Sequence, residues 1–318
     1  MVPTVALGSA VVTHISALPA FTWHLDWWFG PLRAAPGPPD LSVRLDTYGL
    51  RAPDAPPTLV DGPLLRWDDG SRLLLQHESG MVACVTDTHV DLDPGPVEPD
   101  DWRPTRQLLF SALSWWFERR GDLVLHGALV GRDGQALLVI GHSGAGKSTV
   151  ASAAMRLGWQ VLSDDLVIVD SGIGDRGLGR GLMVHGIPKR MTVDPLLADV
   201  LGHPAAVPLP GDVRGRLVLP PGALATGSRL LRGCVVVEHD DAAGRLEPVP
   251  TADAFEAVVR AFLEAPRPDV LRQRLPLLAA VAGAGCVRLR HALDPQVRLE
   301  RAGRLLEQAW GAMGPDGQ

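Results

Sequence analysis

The 318-residue sequence is poor in cysteine, lysine and long apolar runs, and each shortage removes a class of protein. Its three cysteines, Cys84, Cys234 and Cys286, stand far apart with no CxxC pair. That excludes a disulfide framework and a zinc ribbon, and a reducing cytoplasm is the expected compartment. The first 25 residues contain no Lys or Arg, so the charged start of a signal peptide is missing. No apolar stretch reaches the roughly 18 residues of a spanning helix; the best, Pro276 to Val287, is about a dozen. A net charge of −6 argues against a broad basic face for nucleic acid. No internal repeat and no low-complexity tract is present. Of 30 basic residues only Lys147 and Lys189 are lysines. Codon drift toward Arg, Ala, Gly and Pro explains the bias, but one of the two survivors lies inside a glycine-rich loop.

Hydrophobic residues at 46 % and charged residues at 21 % supply a packed core. Charge divides the chain: residues 1–104 carry 14 acidic and 6 basic residues, the remainder 22 and 24. The acidic part holds short alternating runs, Leu41 to Leu45 and Met81 to Val85, between turn signals, and reads as a small β-rich domain. The Pro- and Asp-rich stretch Asp91 to Asp101 suits a linker, which places a domain boundary at 104/105.

Beyond it, Leu108, Leu109, Leu113, Trp116 and Phe117 recur at helical spacing over Thr105 to Arg120. Two apolar runs, Leu123 to Val130 and Ala136 to Ile140, flank the turn signal Gly131 to Gln135. The pattern then predicts a helix to about Leu157, strands at Gln160 to Leu162 and Leu166 to Val169, and helices over Ala252 to Leu263, Val270 to Ala282 and Asp294 to Trp310. Asp294-Pro295 reads as a helix start, a capping carboxylate followed by Pro.

The chemistry concentrates between these elements. Gly141-His-Ser-Gly-Ala-Gly-Lys-Ser148 matches the phosphate-binding loop pattern in full, between an apolar strand and a helix. Its glycines permit backbone conformations that turn N–H groups toward a polyphosphate, and the helix start adds partial positive charge. Gly141, Ser143, Gly144, Ala145, Gly146, Lys147, Ser148 and Thr149 are therefore the candidate nucleotide contacts. Lys147 would pair with the β and γ phosphates of ATP, and Ser148 would ligate Mg2+. His142 occupies a variable position of the pattern and reads as incidental.

Asp164 and Asp165 follow Lys147 by 17 and 18 residues, at the end of the next strand. Two adjacent carboxylates there can divide metal holding and proton removal. Ser-Asp-Asp is also ordinary turn chemistry; the loop upstream favours the functional reading. His126 interrupts an apolar strand that a hairpin would set beside the strand leading into the loop. The nine tryptophans read as packing, with one ring of each adjacent pair, Trp27-Trp28 and Trp115-Trp116, facing a core and the other an inter-domain contact.

Together, His126-Gly127, the Gly141 to Ser148 loop and Ser163-Asp164-Asp165 resemble the HPr kinase/phosphorylase family, whose nucleotide core is related to ATP-dependent phosphoenolpyruvate carboxykinase. The resemblance covers about residues 105–300 and implies an α/β kinase core behind a smaller β-rich domain. It implies that Lys147 and Ser148 hold phosphate and metal, that Asp164 and Asp165 supply a metal contact and the general base, and that His126 sits near the transferred phosphoryl group. Asp165 is the stronger candidate for the base, with Ser148 and Asp164 at the metal.

The sequence departs from the family at Met183, near the place of an acidic metal-holding residue in the bifunctional enzymes. That removes the basis for expecting a phosphate-driven reverse reaction. The continuation His185-Gly-Ile-Pro-Lys-Arg190 is closer to the HPr-kinase-like tailoring kinases of lasso-peptide and related ribosomal peptide pathways. This implies an ATP-dependent serine kinase acting on a precursor peptide, with neither nucleic acid nor membrane as partner and a homo-oligomer left open. Lys189 and Arg190 would contact the γ-phosphate or an acceptor carboxylate, or simply flank a turn; Arg214, with Arg216, is a weaker candidate of the same kind. A kinase for a small hydroxylated metabolite and a nucleotide-sensing module are the alternatives.

Overall fold

A computed structural model describes all residues except 1–3, 8–9, 31, 33, 171–180, 188, 202–205, 210–211, 213–214, 221–222, 240–243, 263–267, 292–294 and 314–318. The chain is a mixed α/β protein that divides into two compact units. One comprises Met1–Arg120 with Pro208–Arg216; the other comprises Gly121–Val207 with Leu217–Gln318.

The first unit is built on a mixed sheet. Its strand order is Thr4–Leu7, Ala10–Ser16, Leu41–Leu45, His89–Asp93, Val82–Val85, Leu73–His77, Leu64–Asp68, Leu59–Asp61. Leu41, Val43 and Leu45 are buried while Ser42 and Arg44 are partly open, the period-2 alternation that marked this strand. The helix Arg103–Arg119 packs on Leu73–His77 and Val82–Val85, so the unit ends at Arg120 and not at the expected 104. The physical reason is its apolar face: Leu108, Leu109, Leu113, Trp116 and Phe117 are all fully buried.

The tryptophan pairs differ from expectation too. All four rings are buried, and the partners of Trp27, Trp115 and Trp116 belong to this same unit. Trp27 stacks on Trp102 at 5.0 Å, Trp115 donates to Asp68 at 3.0 Å, and Trp116 donates to the Asp87 carbonyl at 2.8 Å.

In the second unit the main path of the sheet runs Gln160–Ser163, Ala128–Arg132, Gln135–Ile140, Ser228–His239, Met183–Gly186, Leu166–Val169, Leu123–His126. Cys286–His291 also pairs with Ser228–His239, and Arg245–Pro248 pairs with Cys286–His291. Along Gln135–Ile140, Leu137 and Val139 face one core, while Ala136, Leu138 and Ile140 face the other. Helices Lys147–Arg156 and Pro295–Ala312 cover the first face; Thr251–Ala261 and Pro268–Gly283 cover the second. A strand apolar on both sides is what two helical layers require. The Asp294 cap lies outside the described residues. The longest apolar run divides between the helix ending at Gly283 and the strand starting at Cys286. Among the described residues, no helix is long and apolar enough to cross a membrane.

Two local features position the site. The hairpin Ala128–Arg132 to Gln135–Ile140 turns through Asp133 (φ 53°) and Gly134 (φ 78°), a two-residue loop with both central residues left-handed. The apolar run Leu123 to Val130, expected as one strand, breaks at Gly127. Its first half, Leu123–His126, pairs with Leu166–Val169 and its second with the hairpin partner. A Cβ on Gly127 would stand 2.8 Å from the Val139 carbonyl oxygen, so only glycine allows the strand switch.

Gly186 carries a similar constraint, since any Cβ there would overlap the Leu162 carbonyl. Gly186→Ala should destabilise the protein by about 1–3 kcal/mol through overpacking, read as a lower urea midpoint. Gly283→Ala, which meets nothing within 4 Å, should leave the midpoint unchanged or raise it.

Candidate functional site

The strand Gln135–Ile140 delivers the loop, and the helix Lys147–Arg156 begins at the loop's lysine. Gly144 (φ 81°) and Gly146 (φ 105°) adopt left-handed backbone that other residues avoid. Gly141 meets a steric limit instead: a Cβ there would lie 2.6 Å from the Val237 carbonyl oxygen. Ala145 is buried and donates its N–H to the His142 carbonyl at 3.1 Å, which closes the loop. Ser143, Gly144 and Ser148 are exposed, Gly146 is half-buried and Thr149 is buried. His142 is exposed, with Nδ1 2.8 Å from the Ser143 carbonyl.

Lys147 folds back over this loop. Its Nζ donates to the carbonyls of Gly141 at 2.9 Å and His142 at 3.2 Å. Only 7 % of the residue is exposed. Burial pulls the ammonium's pKa below its ordinary value, and the negative charge of Asp165 opposes that shift. The loop lysine and the second carboxylate thus sense each other across the site.

The carboxylates are held by Ser163, a residue the motif search left in the background. Its buried Oγ accepts the N–H groups of Asp165 at 3.3 Å and Leu166 at 3.1 Å, and directs its own proton at the Leu166 carbonyl at 2.8 Å. The Ile187 carbonyl lies 3.2 Å away on the same hydroxyl. Asp165 in turn accepts the Gly127 N–H on its backbone carbonyl at 3.1 Å. Serine fits here because one small hydroxyl serves as both acceptor and donor in a tight turn. The Ser-Asp-Asp turn is therefore real, and it aims two carboxylates at one place.

Lys189 fills that place. Its Nζ stands 3.3 Å from Asp164 Oδ1 and 3.3 Å from Asp165 Oδ2, and the residue is 4 % exposed. His126 Nδ1 reaches the other oxygen of Asp165, Oδ1, at 3.1 Å. The result is a chain His126, Asp165, Lys189, Asp164 in which two carboxylates share one ammonium. His126 reaches it from Leu123–His126, the strand paired with Leu166–Val169, and not from the hairpin.

Not every candidate joins this group. Among the described residues no ion pair ties Arg190 to the carboxylates. Arg214 lies outside the described residues, and Arg216 pairs with Asp212 at 2.8 Å in the first unit. Met183 starts the strand Met183–Gly186 and sits opposite Leu230.

A cleft of about 450 Å³, invisible to the motif search, opens beside Gly141 and His142. Val236, Glu238, Asp253, Arg260 and Arg288 line it, from two parallel strand ends and the helix Thr251–Ala261. Its volume suits a nucleoside or a short acceptor segment. The available signal was weak: a charged residue, Glu238, ending an otherwise apolar strand run.

The donors fit magnesium. Among the described residues no group of three His, Cys, Asp or Glu converges as a metal cage. Magnesium needs none, since one or two carboxylates with substrate phosphates and waters suffice. Asp164, Asp165 and the Ser148 hydroxyl are hard oxygen donors of that kind, and a cation already sits between the carboxylates.

No protein-family model and no curated protein matches the chain. Among solved structures it is similar to the HPr(Ser) kinase/phosphatase from Coxiella burnetii. The match has 10 % identity and a TM-score of 0.30, and covers 60 % of this chain and 99 % of that one.

Lys147→Ala should weaken binding of ATP by at least about tenfold, or about 1.4 kcal/mol, in a nucleotide titration. Its circular dichroism spectrum should match the parent's. Unchanged affinity and unchanged turnover would remove the loop from the site.

Proposed function

We propose that the protein is an ATP- and Mg2+-dependent kinase that transfers the γ-phosphate to a serine-type hydroxyl of a peptide or protein. The proposed acceptor class is a ribosomal natural-product precursor peptide. One observation carries the reading: a glycine-rich loop with a buried lysine lies within electrostatic reach of a buried carboxylate pair. A loop that only binds nucleotide has no need of a second carboxylate beside the first.

The geometry supports the following roles. The backbone of Gly141 to Ser148 cradles the polyphosphate, and Lys147, released from the Gly141 and His142 carbonyls, pairs with it. Ser148 and Asp164 would hold Mg2+, which when bound offsets charge on the phosphate oxygens. Asp165 takes the acceptor's proton as the acceptor oxygen bonds to the γ-phosphorus and the bridging β–γ oxygen leaves with ADP. His126, 3.1 Å from Oδ1, orients that carboxylate, and Oδ2, 3.3 Å from Lys189 Nζ, is the oxygen that would take the proton once the lysine moves away.

Two outcomes test the reading. Asp165→Asn should leave ATP affinity within about tenfold, because a base acts mainly in the transition state. The same change should lower transfer of labelled γ-phosphate to a serine-bearing peptide by about 10²-fold or more. Asp164→Asn should lose metal-dependent affinity and rate together. Two variants that transfer phosphate at the parent rate would reduce the pair to a turn.

Direction is the second outcome. With Met183 near the place of an acidic residue, the phosphorylated peptide should persist when the enzyme is incubated with inorganic phosphate. Rapid phosphate-driven dephosphorylation, followed by the loss of label from product, would contradict that assignment.

A further inference from the structure

The two carboxylates of the site are already neutralised in part by a residue of the chain itself. Lys189 Nζ stands 3.3 Å from an oxygen of each, with side-chain exposures of 4 % for the lysine and 6 % for each aspartate. An ammonium equidistant from two buried carboxylates occupies the position a divalent cation would take between them. Its placement is built in. The Lys189 N–H donates to the Ile187 carbonyl at 2.9 Å, and the Ile187 N–H donates to the Leu166 carbonyl at 3.0 Å. The segment is thus tied to the same turn that carries Asp164 and Asp165.

We propose that Lys189 is the internal counter-cation of the Asp164–Asp165 pair, one that a metal ion must displace. The metal then enters this site only together with a polyphosphate. This rests on the proposed reading of the pair as metal-binding. A divalent ion alone would have to settle beside a buried ammonium, and like charges at such separation repel strongly in a medium less polar than water. A metal–nucleotide complex carries its own negative charge. It offers the displaced ammonium new oxygen partners in place of the two it leaves. Lysine suits this role better than arginine, because a point charge on a flexible stem can swing between partners without breaking a bidentate fork. The Oδ2 of Asp165 is freed in the same movement. The carboxylate assigned as base therefore becomes available only when nucleotide is in place, which guards against idle proton chemistry in the empty site.

The test needs no turnover. Mn2+ serves as the probe, and its binding to the full-length protein is followed by electron paramagnetic resonance with and without a non-hydrolysable ATP analogue. The parent should bind Mn2+ alone only weakly and bind it much more tightly with the analogue. Lys189→Met should raise the affinity for Mn2+ alone by about tenfold or more, and Asp164→Asn in that background should abolish the gain. Lys189→Arg, which keeps the charge, should stay weak without nucleotide. Tight Mn2+ binding by the nucleotide-free parent, or no gain in a folded Lys189→Met protein, overturns the proposal. If Lys189→Met fails to fold, the parent and Lys189→Arg titrations still decide, since tight nucleotide-independent binding in either refutes it. Failure of the kinase reading is separable: a Lys189→Met gain in a protein that phosphorylates no peptide would keep the counter-cation and discard the transfer.

Discussion

Everything at the site depends on a close approach between two backbones. The strand ending at Ser163 and the strand ending at Gly186 run so near that the Leu162 carbonyl fills the space where a Cβ of residue 186 would be. Just beyond, Ser163 Oγ lies 3.2 Å from the Ile187 carbonyl. These two contacts bring the turn with both aspartates against the segment with Lys189, residues about twenty-five positions apart in sequence. A side chain at 186 would force these strands apart and with them the ammonium from the carboxylates. The geometry of the charged cluster is a consequence of packing, in which the smallest residue sets how near the ammonium comes to the carboxylates.

The shortage of lysine acquires meaning at this point. Arginine accounts for 28 of 30 basic residues, yet both ammonium groups in the chain are buried in one site. Elsewhere arginine does work that needs a planar fork or a flat face. Arg132 lies 4.5 Å from the Trp159 ring and 4.9 Å from the Trp310 ring while pairing with Glu307 at 3.0 Å. Arg232 lies 4.4 Å from Trp310. Those contacts pin the helix Pro295–Ala312 over the sheet, a role suited to a delocalised cation. On the proposed roles, Lys147 and Lys189 would need the opposite property, a compact charge that can exchange one set of oxygens for another.

What the sequence made legible was local. The loop, its strand and its helix are contiguous, so the motif and the apolar periods on either side locate them within a residue or two. The hairpin before the loop is equally local, with Asp133 and Gly134 as its turn. What escaped depends on pairing across the sheet. Leu123 to Val130 reads as one strand because every residue but His126 is apolar or small; the switch at Gly127 comes from the Val139 carbonyl, twelve residues on. The domain boundary was drawn at the Pro- and Asp-rich stretch, whereas the helix after it buries its apolar face in the first unit. Lys189 and Arg190 looked alike on paper. Only the pairing of Met183–Gly186 with Leu166–Val169 brings one of them onto the aspartates.

Of the two adjacent aspartates, nearly equal in burial, Asp165 is the one tied to the strand switch. Asp165 has His126 on one oxygen and Lys189 on the other, its charge is felt at Lys147, and its backbone carbonyl holds the Gly127 N–H. It is therefore braced on several sides at a fixed distance from the loop, as a group must be if it is to meet a proton at one point in a transition state. Asp164 faces the same ammonium from the opposite side. Gly127 is central to the support of Asp165. By forcing the strand to switch partners, it sets both His126 and its own N–H against Asp165.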